Sequence, residues 1–217
     1  REQAEIAARF PKVMRRVGGY NIDALMPNGK AINLSSLLVG SEGTLAWSNR
    51  LKLKLSPLPA RKAMGVCHFP TFHAAMDAAQ HIVKLDPVAV ELVDRTMIEL
   101  ARDIAIFRPT IDKVVRGEPD ALLLVDFAED DWDENLRRLK RLHEVIGDLG
   151  FDWSRPGKHF GGVVEVNDPG LQADLAEVRK SGLNIMMSMR AEGKPVSVVE
   201  DCAVELKDLA AYTAGLT

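Results

Sequence analysis

"ALLLVDFAEDDWDENLRRLKRLHEVIGDLG", residues 121–150, joins two apolar patterns of different period. Residues 121–127 form a nearly continuous apolar run, which predicts a central strand. From 131 to 149, Leu136, Leu139, Leu142, Val145, Ile146 and Leu149 recur at helical spacing. That predicts a long amphipathic helix capped by Asp131 or Asp133. Arg137, Arg138, Lys140, Arg141 and His143 read as its solvated face.

Working outward, strands are predicted at 62–67 and 88–93. Helices are predicted at 71–83, with Phe72, Ala75, Met76, Ala79, Ile82 and Val83 on one stripe, and at 95–104. Downstream lie strands at 161–166 and 196–202 and helices at 169–181 and 206–214. The elements alternate, but several connections are short enough for antiparallel pairing. The predicted class is therefore α+β, an antiparallel sheet packed by helices in a ferredoxin-like arrangement, rather than a wound parallel sheet. The order of the strands is not legible.

The first 60 residues read differently. Residues 1–17 carry a helical spacing that Pro11 should interrupt, and turns follow at 18–21 and 27–29. An apolar segment spans 32–39. In 47–55, Leu51, Leu53 and Leu55 alternate with Lys52 and Lys54, which predicts a half-buried strand. Pro57-Leu58-Pro59 ends it, since each proline removes a ladder donor. A domain boundary is expected here, giving domains 1–57 and 58–217.

With 28 Lys and Arg against 31 Asp and Glu, the net charge is −3, so no basic field favours nucleic acid or an anionic membrane. No apolar run is long enough for a transmembrane segment. Two cysteines, Cys67 and Cys202, are too few for an iron-sulfur cluster and are read as reduced thiols of a cytoplasmic protein. His68, His73, His81, His143 and His159 show no metal-ligand spacing, so no metal site is expected within the chain. In "LLVGSEGTLA", residues 37–46, Gly40 and Gly43 suit a tight turn. Alternatively, two residues without Cβ let the backbone approach a flat or phosphorylated cofactor, with N–H groups of residues 41–45 as donors.

The stretches "GYNIDAL", "LLVGSEGTLA", "LKLKLSPLP", "VAVELVDR" and "VVEDCAVELKDLAAY" follow one another in the order seen in FAD-linked oxidases of the vanillyl-alcohol oxidase type, which the chain resembles over nearly its whole length. Within that family it is most similar to the D-lactate and D-2-hydroxyglutarate dehydrogenase group. "GLNIMMSMRAEGKPVSVVEDCAV" resembles bacterial forms with a fused iron-sulfur region.

The resemblance implies an internal piece: the C-terminal tail of an FAD-binding domain followed by an incomplete cap, or substrate, domain. The family's first phosphate-binding loop would precede Arg1, and its metal-binding and catalytic segment would follow Thr217. Any iron-sulfur cluster would lie outside the chain.

The implied activity is oxidation of a D-2-hydroxy acid by hydride transfer to FAD, with no catalytic residue in this chain and no turnover by the fragment alone. Tyr20, Asn21, Gly40, Ser41, Glu42, Gly43 and Thr44 fall at the family's cofactor-lining positions, and Arg179 where an arginine grips the substrate carboxylate. Glu91, Glu200 and Asp201 are candidate site-lining residues, with a strand-end cap as the alternative for Glu200 and Asp201, and Glu91 and Asp94 are read as structural first and site-lining second.

Three departures stand out: Ala46 replaces a usual glycine, Glu177 either replaces a usual tryptophan or sits one register away from it, and Leu183 stands where a polar residue is expected. The electron acceptor is not identified, and a homo-oligomer stays open. The alternative is a ferredoxin-like small-molecule-binding or protein-interaction module without redox activity.

Overall fold

The computed structural model describes residues 1–13, 19–26, 31–187 and 202–216. The chain divides into two units, 1–56 with 197–205, and 57–196 with 206–217.

Among its described residues the first unit has little regular structure. Helix α1 (Gln3–Arg9) ends at Phe10, just before Pro11, and α2 (Leu34–Leu38) is capped by Asn33, whose side chain accepts the Ser35 N–H. The strand predicted at 47–55 does not form. Leu51, Leu53 and Leu55 are 70%, 72% and 83% exposed, and no strand pairs with them among the described residues. Alternation specifies a strand only where a neighbour supplies the ladder and a covered face. The strand expected at 196–202 lies outside the described residues apart from Cys202.

The second unit is built on a four-stranded antiparallel sheet. Its strands are β1 (Ala63–Phe69), β2 (Ala89–Asp94), β3 (Ala121–Phe127) and β4 (Gly162–Val166), in the order β2-β3-β1-β4. Between β1 and β2 runs α3 (Phe72–Ile82), capped by Thr71. Helices α4 (Arg95–Asp103) and α5 (Arg108–Val114) link β2 to β3, and α6 (Trp132–Asp148) links β3 to β4. Helices α7 (Pro169–Lys180), α8 (Gly182–Met187) and α9 (Leu209–Leu216) follow.

The fold is α+β, and the β1-α3-β2, β3-α6-β4 connectivity with this strand order is the ferredoxin-like arrangement. Residues 121–127 are apolar except for Asp126 because helices cover both faces of the sheet. Leu123, Val125 and Phe127 pack with Ala75, Ile82, Leu139 and Leu142 of α3 and α6. Leu122 and Leu124 pack on the other face with Ile98, Ile111, Leu175 and Val178 of α4, α5 and α7.

Helix α6 begins at its Asp131 cap, which accepts the Asp133 N–H. Leu136, expected in the buried stripe, is instead 38% exposed, because the contact with the sheet is centred on Leu139, Leu142 and Ile146.

Candidate functional site

The second unit contains a cavity of about 420 Å³ between the sheet and the α4/α5/α7 layer. Its side nearest α7 follows from helical spacing. Leu175, Val178, Arg179 and Gly182 stand at i, i+3, i+4 and i+7 and all line it, so a charged side chain shares the stripe of two buried apolar ones. Asp168 caps α7 by accepting the Leu171 N–H at 2.7 Å and thereby sets where that stripe begins. Strands β2 and β3 contribute Leu92, Val93, Leu122 and Leu124, and α4 and α5 contribute Met97, Ile98, Ile111 and Val114.

Arg179 and Asp94 are the charged lining residues. The Asp94 carboxylate is engaged as the cap of α4, accepting the Met97 N–H at 2.9 Å. The Arg179 side chain is half exposed, and its Nε donates to Oε2 of Glu91 on β2. Among the described residues this is its ion pair, made through one edge of the guanidinium. The Nη edge keeps the fork geometry that matches a second carboxylate.

Glu91 lies opposite Leu124 in the sheet, on the face that α7 covers, and two places further along β3 is Asp126. Burial pushes the Asp126 carboxyl up, while Lys62, whose Nζ lies 3.4 Å from Oδ2, and then Arg179 pull it back down.

In the first unit the structure brings together residues that are far apart in sequence. Gly40, Glu42 and Gly43 have φ of +82°, +50° and +78°, so the turn is built from left-handed backbone. Asn21 donates through Nδ2 to the Val39 carbonyl at 2.9 Å. The Thr44 hydroxyl donates to the Ser41 carbonyl at 2.6 Å. A hydroxyl has one proton, so in the 2.9 Å contact between Tyr20 and Thr44 it is the tyrosine O–H that donates. A Cβ on Gly40 would stand 3.2 Å from the Gly19 carbonyl, so this residue's smallness is used by the neighbouring turn. At Gly43 nothing lies within 4 Å.

The donors expected at 41–45 are only partly at hand: the Ser41 and Thr44 N–H groups are spent inside the turn, on Leu38 and Ser41 carbonyls. Tyr20, Asn21, Gly40, Ser41, Gly43 and Thr44 thus form one locked cluster, with Glu42 at its turn.

Glu200 and Asp201 lie outside the described residues. Sequence reading missed the contribution of α4 and α5 to the cavity. For Arg179, the spacing from Leu175 and Val178 was a usable signal. Among the described residues no three His, Cys, Asp or Glu side chains gather into a metal-binding group, and no helix is long and apolar enough to cross a membrane.

Comparison with known proteins places these features in context. A D-2-hydroxyglutarate dehydrogenase of Pantoea ananatis (strain AJ13355) is 28% identical over 222 residues, covering 98% of this chain and 21% of that protein. The D-2-hydroxyglutarate dehydrogenase of Escherichia coli (strain K12) is 28% identical over 226 residues, with 96% and 21% covered. A D-lactate dehydrogenase of Archaeoglobus fulgidus is 29% identical over 124 residues, 57% of this chain and 26% of that protein. The chain spans about a fifth of the length of the D-2-hydroxyglutarate dehydrogenases it matches. The family described as FAD linked oxidases, C-terminal domain, matches residues 58–217, so the chain belongs to the FAD-linked oxidases and carries their C-terminal domain.

Proposed function

We propose that the chain is part of an FAD-dependent dehydrogenase that oxidises a D-2-hydroxy acid to the 2-oxo acid. Residues 1–57 are then the end of its flavin domain and 58–217 part of its substrate domain. The observation that carries this reading is Arg179, set on the rim of an apolar cavity in a domain of the FAD-linked oxidases and paired, among the described residues, through Nε with Glu91.

The residues of the first unit fit a flavin. A turn of left-handed backbone with open space at Gly43, held by Tyr20 and Asn21, leaves room for a flat group to lie against the main chain. When bound, the flavin supplies the hydride acceptor.

This chain's own part is binding and orientation. The Nη edge of Arg179 takes the substrate carboxylate, which fixes C2 one bond away, and Glu91 is a positioning residue that holds the guanidinium through Nε. The base that removes the hydroxyl proton is assigned to the part of the protein outside this chain, and a cytoplasmic location is in keeping with a count of two cysteines in 217 residues.

The test is anaerobic reduction of the flavin in the protein that carries this chain, with D and L forms of lactate and 2-hydroxyglutarate. A D form should bleach the flavin, and Arg179→Met should weaken substrate capture by about 3 kcal/mol, roughly a hundredfold. Normal bleaching in Arg179→Met would remove the arginine from the site, and a protein holding no flavin would remove the reaction.

A further inference from the structure

Resting on the 2-hydroxy acid reading, we propose that the substrate is a monocarboxylate with a medium-length apolar side chain on C2, and that the cavity behind Arg179 receives that side chain. A 2-hydroxy acid carries its hydroxyl, its reacting hydrogen and its side chain on the carbon next to the carboxylate. Once the carboxylate is seated on Arg179 at the rim, C2 stays at the rim, and the side chain has the cavity in front of it.

About 420 Å³ is far more than a methyl group fills and lies in the range of small-molecule sites. Its walls are apolar side chains from the sheet and α4, α5 and α7, including Leu92, Ile111, Leu124 and Val178. A distal carboxylate, as in 2-hydroxyglutarate, would enter a space whose described lining offers one cation, Arg179, already used at the rim. The other charged lining group is the Asp94 carboxylate. Burying an unpaired negative charge there is strongly unfavourable. Burying methylenes is favourable.

The experiment is calorimetric titration of the 217-residue chain with D-2-hydroxyoctanoate, D-2-hydroxyglutarate and 1-octanol, checked by circular dichroism for folding. D-2-hydroxyoctanoate should bind at least tenfold more tightly than D-2-hydroxyglutarate. Arg179→Met should weaken the hydroxy acid at least tenfold and leave 1-octanol unchanged, while Val178→Trp, which fills the cavity, should weaken both. Equal or tighter binding of D-2-hydroxyglutarate by the wild-type chain would overturn the proposal without recourse to any variant, as would no saturable binding of D-2-hydroxyoctanoate. In the flavin-containing protein, reduction by D-2-hydroxyglutarate but not by D-2-hydroxyoctanoate would also overturn it and leave the reaction class standing.

Discussion

His68 is fully buried on β1, with Nδ1 2.9 Å from the Val66 carbonyl and Nε2 3.1 Å from the Arg116 N–H. A backbone N–H can only donate, so Nε2 accepts and the proton sits on Nδ1: the ring is neutral. Burial, above all, lowers its pKa from 6.5 to about 4.

Unfolding lets the ring take up a proton between these two values, so stability is fully present above pH 6.5 and falls as the pH drops towards 4. The loss from this group is about 3 kcal/mol. Urea melts at pH 7, 5.5 and 4 should show this component in the wild type and lack it in His68→Gln.

Neighbouring Cys67 faces the opposite layer, and burial raises its thiol pKa far above the usual range, whereas Cys202 is exposed. Ellman's reagent is expected to titrate one thiol in the native chain and two in urea. Two rapidly reacting thiols in the native chain would contradict the burial of β1.

The contact between β1 and α6 depends on Gly65. A Cβ there would stand 2.5 Å from Leu142 Cδ2, 3.0 Å from Val163 Cγ1 and 3.1 Å from Leu139 Cδ1. Gly65→Ala should therefore cost about 1–3 kcal/mol by overpacking, and Leu142→Ala about 2–5 kcal/mol by the cavity it leaves, both measurable by denaturant unfolding. Thr71→Ala, which removes the cap of α3, should cost about 1 kcal/mol.

The two long patterns were legible because burial imposes its period on them: helix α6 turns Leu139, Leu142 and Ile146 inward, and β3 is covered on both faces. Helix α5 was not visible. Its seven residues bury only Thr110, Ile111 and Val114, which is too short a sample of a 3.6-residue repeat. The 47–55 segment misled for the opposite reason, since a clean alternation stood where no strand among the described residues offers a ladder. At the site, Arg179 was proposed through family resemblance alone, although its place on the α7 stripe beside Leu175 and Val178 was also legible. The cavity walls were not, because α4, α5 and α7 come together on one face of a sheet whose strand order no local pattern encodes.

The two units differ in how they hold their apolar side chains. In the first, Trp47, Leu51, Leu53 and Leu55 are exposed in a segment without helix or strand, whereas residues 63–69 of the second are buried throughout. Limited trypsin digestion should therefore cut first after Arg50, Lys52, Lys54 or Arg61, well before any site within 63–166, and mass spectrometry of the fragments would show it. Early cleavage inside α6, with its many basic residues, would contradict this division.

The first unit is also assembled from two stretches, 1–56 and 197–205, that the sheet-bearing unit separates in the chain. During synthesis the four strands are all available once residue 166 has left the ribosome, but the first unit must wait for residue 205. At ordinary translation rates that delay is roughly 2–8 s. Over that interval the earlier-made of these two units is the one still unfinished, and it presents a tryptophan and a row of leucines to whatever chaperone stands nearest the exit.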